Sequence, residues 1–160
     1  LKDKLKNKKF VIDLINNHKS KVKRLVDTII ADLSLRGIVH DNSKFDKDEL
    51  LLNIKYGKKS MACKFGSKKY LYYREKSKRA SESHYKKKKN RHHPEHFKDG
   101  INGMTLVDIM EMVLDWRAAT ENHRVPTSLN VSIEMARKKY SIDDQLVKII
   151  YNTAKYYNLL

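Results

Sequence analysis

Between residues 9 and 36 the apolar side chains return with the period of an α-helix. Val11, Leu14, Ile15, Val22, Leu25, Val26, Ile29 and Leu33 fall on one face, and His18 continues the stripe between Leu14 and Val22. The spacing predicts a long amphipathic helix whose apolar face, His18 included, points inward against other elements. Gly37 stands where a helix stop is expected. With only 5 Gly and 2 Pro in 160 residues, the chain lacks the turns that a sandwich or barrel would need.

The rest reads as further helices. Residues 46–56 follow a cap at Asn42 or Ser43 and carry Asp46, Asp48 and Glu49 in the first turn, where the helix dipole favours acids. Residues 68–88, rich in Lys and Tyr, form another helix. Residues 90–104 are a loop by composition, with Pro94, Gly100 and Gly103. Thr105 caps a helix over 106–122, with Asp108 in the place of a capping-box acid. Val125–Pro126 breaks the chain. Helices over 128–139 and 142–158 close it, the last capped by Ser141 with Asp143 and Asp144 in its first turn. The expected fold is all-α: one compact helical bundle of five to seven helices over residues 1–160, with a Lys-rich insertion or hairpin at about 55–91.

The formal charge of +16 invites a nucleic-acid reading, but it is unevenly spread. Residues 55–91 hold 15 basic and 2 acidic side chains, whereas residues 92–125 hold 3 and 6 and include four of the seven His. A lone Cys63 excludes an intramolecular disulfide and a Cys-based zinc site. No apolar run approaches the roughly 18 residues of a membrane span. The visible start, Leu1, has no signal-peptide pattern.

The candidate chemistry lies in the His and the acids. His40-Asp41 offers an imidazole nitrogen and a carboxylate oxygen to a divalent ion; a helix-capping turn with a solvated His is the plainer alternative. His92, His93 and His96 place three imidazoles in five residues. Asp108, Glu111 and Asp115 share one face of a helix that is apolar nearly all round through Ile109, Met110, Met112, Val113, Leu114 and Trp116. Buried carboxylates must be paired or bind metal. Ion pairing with the Lys-rich segment and ligation beside the His set both remain open. Tyr56, Tyr70, Tyr72, Tyr73 and Tyr85, interleaved with Lys, also fit a single-strand binding surface.

The order His18, His40-Asp41, His84, His92/His93/His96, Asp115 resembles the HD-domain superfamily of metal-dependent phosphohydrolases. Its doublet is often written His-Asp-x-Gly-Lys; here it reads HDNSK, so Lys44 matches and Ser43 replaces the Gly. More narrowly, HYKKKKNRHHPEHF followed by MTLVDIMEMVLDW is similar to a family of short proteins of phages, large viruses and bacteria. That likeness covers roughly residues 18–120. The resemblance implies an all-helical enzyme of the cytoplasm, the host's where the gene is viral. It implies one or two divalent ions (Mn, Fe, Zn, Ni or Mg), the first held by His18, His40, Asp41 and Asp115. His84 with His93 or His92 would hold the second, Asp41 bridging. His96 would be a ligand or a partner to one. Glu111 would orient an imidazole or act as general base, and Lys44, with Arg91 or Arg117, would meet phosphate oxygens. The implied reaction is attack of an ion-activated water on a phosphoester of a nucleotide, cyclic nucleotide or nucleic acid. A basic nucleic-acid-binding module without turnover is the alternative, and di-iron redox chemistry, also hosted by this superfamily, a third.

Overall fold

The computed structural model describes residues 2–122 and 127–160 of the chain, so the Val125–Pro126 break lies outside the described residues. The described residues form seven α-helices and no strand: α1 (Lys2–Val39), α2 (Lys47–Met61), α3 (Lys68–Lys76), α4 (Lys78–Lys86), α5 (Leu106–Asn122), α6 (Leu129–Tyr140) and α7 (Asp144–Tyr156). The fold is all-α, as the periodicity predicts. Three short 3₁₀ turns lie between them, at Asn42–Phe45, Pro94–His96 and Gly100–Gly103. No helix of the described residues is long and apolar enough to cross a membrane.

Two compact units divide the chain, residues 1–38 and 39–160. The first is α1, a single helix. It runs through Gly37, which lies inside the helix and does not stop it. Its apolar stripe is exposed rather than inward-facing, with Leu14 57%, Leu25 55% and Ile29 55% accessible, and His18 is exposed with it.

The second unit holds the core. Met112 and Val113 of α5, Leu129, Ile133 and Ala136 of α6, and Val147, Ile150 and Ala154 of α7 pack together with Ile101 and Ile142. Trp116 lies against this cluster. On the basic side, α2 packs on α3 and α4. The Lys-rich stretch 55–91 is therefore mostly helical.

The expected single helix over 68–88 is broken at Ser77. The buried Ser77 hydroxyl donates to the carbonyls of Tyr73 and Arg74, at 3.2 and 3.1 Å. Such back-bonding competes with the helix ladder and bends it. The cap of α7 also differs from expectation. Asp143, not Ser141, accepts the Leu146 amide at 2.9 Å, while Ser141 is the left-handed residue that follows α6, at φ 51°. Likewise the cap position of α2 is Asp46, not Asn42 or Ser43, which belong to the preceding 3₁₀ turn.

Candidate metal centre

α1 ends at Val39, and the chain turns sharply at Asp41, which adopts the left-handed conformation at φ 56°. Asp tolerates this region better than most residues. The Lys44 amide donates to the Asp41 carbonyl at 2.8 Å and closes the turn. His40 and Asp41 are thus presented side by side from a short turn. The Lys44 ammonium pairs with Asp41 Oδ2.

α5 supplies the facing wall. Its start is a reciprocal cap: the Asp108 amide donates to Thr105 Oγ1 at 3.2 Å, and the Thr105 amide donates to Asp108 Oδ2 at 2.8 Å. Asp108 is fully buried and also takes two hydrogen bonds from Arg91, at 3.1 and 3.0 Å. The shared face expected of Asp108, Glu111 and Asp115 therefore splits in function. Asp108 anchors the loop that precedes it through Arg91. Glu111 and Asp115 reach His40, at 3.0 Å from Nδ1 and 3.3 Å from Nε2 respectively.

The loop between α4 and α5 brings the remaining imidazoles. Asn90 Nδ2 donates to the His84 carbonyl at 2.8 Å, and the carbonyl of Tyr85 accepts from His96 Nδ1 at 2.9 Å. Lys139 Nζ and the Tyr140 hydroxyl donate to Glu95 at 2.6 and 2.8 Å, which ties the loop to α6. Held from both sides, the loop places His92 and His93 against Asp41 and His84.

Two overlapping groups result. Asp41, His84, His92 and His93 offer ligand atoms that all lie within 4.8 Å of one another, and so do His40, His92 and Asp115. Asp41 adjoins both: its Oδ1 is 2.9 Å from His84 Nε2, and its Oδ2 is 3.5 Å from His40 Nε2. His84 Nε2 faces His93 Nε2 at 3.0 Å. Behind the imidazoles stand two carboxylates. Glu111 Oε1 lies 3.0 Å from His40 Nδ1 and 3.1 Å from His92 Nδ1, and Glu49 Oε2 lies 3.2 Å from His84 Nδ1.

The electrostatics are those of carboxylates that draw positive charge, which in the metal-free protein the imidazoles supply. His40 is held protonated, its pKa raised to about 10 by its contacts with Asp115 and then Glu111, against the opposing effect of burial. Burial favours the neutral form of Asp41, but the His84 and His92 side chains overcome it and hold Asp41 well below the usual carboxylate range. In Glu111 burial is likewise outweighed by His40 and His92, which bring its pKa to about 2. Burial opposes the charged form of His92, yet Asp41 and Glu111 raise its pKa. Burial, with His92 and His84 nearby, drives His93 down to about 2, so it is a neutral nitrogen donor.

The residues fit a divalent ion by their chemistry and by what they leave unanswered. Both ring nitrogens of His92 and the Oδ1 of Asp41 are buried without a hydrogen bond of good geometry. Imidazole nitrogen and carboxylate oxygen suit Zn, Mn, Fe or Ni in the +2 state. A carboxylate behind a ligand imidazole is the usual device for fixing its orientation.

Of the residues singled out in the sequence, His40, Asp41, His84, His92, His93, Glu111 and Asp115 are brought together. His96 points instead to the Tyr85 carbonyl. Arg117 spends its guanidinium on Thr120 and Glu121, both at 3.0 Å. His18 lies in the first unit, on α1. Sequence reasoning missed Glu49 and Asn90, each 2% exposed, and gave Ser43 only a capping role. Their signals were present: an acid at the head of a helix, a Ser in the doublet where Gly is usual, and an Asn just before the triple-His loop.

Fold and site together define an all-helical protein with a clustered His/carboxylate set suited to divalent metal. The chain belongs to the family described as "Family of unknown function (DUF5662)", which it matches over residues 7–156. No curated protein and no solved structure matches it.

Proposed function

We propose that this protein is a divalent-metal-dependent phosphohydrolase acting on a nucleotide, cyclic nucleotide or nucleic-acid phosphoester. The observation that carries the reading is the convergence of four imidazoles with Asp41 and Asp115, backed by Glu111 and Glu49. His40 and Asp115 would hold one ion and Asp41, His84 and His93 a second, with His92 within reach of either. A bound ion supplies Lewis acidity and brings the pKa of water towards 7.

The chain's own residues do the rest. Glu111, in contact with both His40 and His92, orients those rings, a role its position favours over that of general base. Lys44 is half exposed beside Asp41 and offers its ammonium to a phosphate oxygen, so that it offsets charge growing there in the transition state. A cavity of about 480 Å³ opens beside the cluster, lined among others by Lys44, His93, Asp115, Trp116, Tyr70 and Arg74. Its size is that of ordinary small-ligand sites. Its aromatic walls suit the body of a substrate whose phosphate meets Lys44 beside the cluster.

The test is hydrolysis of nucleotides, cyclic nucleotides and oligonucleotides by the purified chain with Mn²⁺ and with chelator. Turnover in Mn²⁺ that chelator removes, and that Asp41→Ala abolishes while helicity is retained, is the expected result. A protein that binds no ion and stays inert in added Mn²⁺ contradicts the reading.

A further inference from the structure

We propose that Ser43, Glu49 and Asn90 are positioning residues for His84, committing its ring to the Nδ1–H form so that Nε2 is left as a bare ligand for the second ion. This rests on the metal reading above and adds to it the group that sets the second ion's affinity.

The group is buried: His84 is 4% exposed, and Glu49 and Asn90 are each 2% exposed. Asn90 Nδ2 has two hydrogens. One goes to the His84 carbonyl at 2.8 Å and the other to Ser43 Oγ at 2.9 Å. Asn90 Nδ2 is also 3.0 Å from His84 Nδ1; with its second hydrogen on the slightly nearer Ser43 Oγ, it leaves Nδ1 to the two oxygens. The Ser43 hydroxyl spends its own hydrogen on Glu49 Oε2, at 3.4 Å. His84 Nδ1 then faces two acceptors, Ser43 Oγ at 2.7 Å and Glu49 Oε2 at 3.2 Å. A bare Nδ1 would set its lone pair against the Glu49 carboxylate in a buried place. A protonated Nδ1 satisfies both oxygens and gives Glu49 a donor.

The consequence lies across the ring. With the proton on Nδ1, Nε2 of neutral His84 is a lone pair, and it is aimed at Asp41 Oδ1 at 2.9 Å and at His93 Nε2 at 3.0 Å. A carboxylate oxygen and two imidazole nitrogens then converge with acceptors foremost, an arrangement that a bound cation satisfies. Glu49 Oε1, buried without a hydrogen-bond partner, leaves that carboxylate's negative charge free to strengthen the ring as a donor. The same network explains the Ser at position 43. A glycine there would leave His84 Nδ1 and Asn90 without their shared hydroxyl.

The experiment titrates the metal-free full chain with Mn²⁺ and with Co²⁺ at fixed pH by calorimetry. It uses wild type, Glu49→Ala, Ser43→Ala and the isosteric Glu49→Gln, with circular dichroism as the folding control. Wild type is expected to take two ions per chain. Glu49→Ala and Ser43→Ala are expected to keep the first ion's affinity and to bind the second about 10- to 100-fold more weakly. Glu49→Gln, which keeps an acceptor but loses the charge, is expected to fall between. Long-range ¹H–¹⁵N spectra of the Zn²⁺-loaded protein should show the His84 proton on Nδ1, a signature that general loosening of the fold would not produce. Variants that bind both ions as wild type does, or a His84 proton found on Nε2, overturn this proposal while leaving the metal reading intact. A wild-type chain that binds no ion overturns both.

Discussion

At the level of single residues, the site is a set of charges that balance only in company. Asp108 shows this away from the cluster. It has no exposed surface, and Arg91 covers it with two hydrogen bonds. Arg91→Ala removes the cation from a buried carboxylate and is expected to cost about 3 kcal/mol in urea unfolding. If Arg91 served substrate phosphate instead, the variant would unfold like wild type and lose activity alone. The His40-Asp41 pair and the acid helix were readable in the sequence because each carries a local signature: a doublet, and charges spaced at i and i+4 on an apolar helix. The Glu49–Ser43–Asn90 group was not. Its members lie up to 47 positions apart, and each has an ordinary local role as a helix-start acid, a turn Ser or a loop Asn. Only the folded chain brings them to one ring nitrogen.

Among the elements, α5 was legible to the residue because Thr105 and Asp108 form a cap that can be read directly. Periodicity likewise located α6, α7 and most of α1. What escaped were ends and breaks. Ser77 splits α3 from α4 through its own hydroxyl, with no Gly or Pro to announce it. Ser141 and Asp143, two positions apart, exchange their expected parts. Asp143→Ala is therefore expected to lower stability by about 1 kcal/mol through loss of the α7 cap. Ser141→Gly is expected to raise it by up to about 1 kcal/mol by relieving a left-handed residue. Thermal melts of the two variants check this. A destabilised Ser141→Gly would show that the Ser side chain, not the backbone conformation, matters there.

For the whole molecule, charge and protonation set the conditions of stability and encounter. In the metal-free protein His40 is held at a pKa of about 10, above its ordinary value near 6.5. Its contribution to stability is thus full below about pH 6.5 and is lost as pH rises through about 10. Glu111, lowered to about 2, contributes above about pH 4 and loses its share as pH falls through about 2. In chelator, the melting-temperature gap between wild type and His40→Gln is expected to narrow from pH 7 to pH 10; a constant gap would mean that His40 is neutral throughout. The basic stretch 55–91, net +13, bears on association. Added salt should lower kcat/KM for a polyphosphate substrate while leaving kcat nearly unchanged, because steering acts on encounter. A kcat that falls equally would locate the charge effect in the chemical step. The central claim is that the His/carboxylate cluster holds divalent metal, and elemental analysis after reconstitution with Mn²⁺ and removal of free ion tests it most directly. Two ions per chain in wild type, and loss of bound metal in Asp41→Ala at unchanged helicity, is the expected result. No bound ion in wild type, or equal metal in Asp41→Ala, would contradict it.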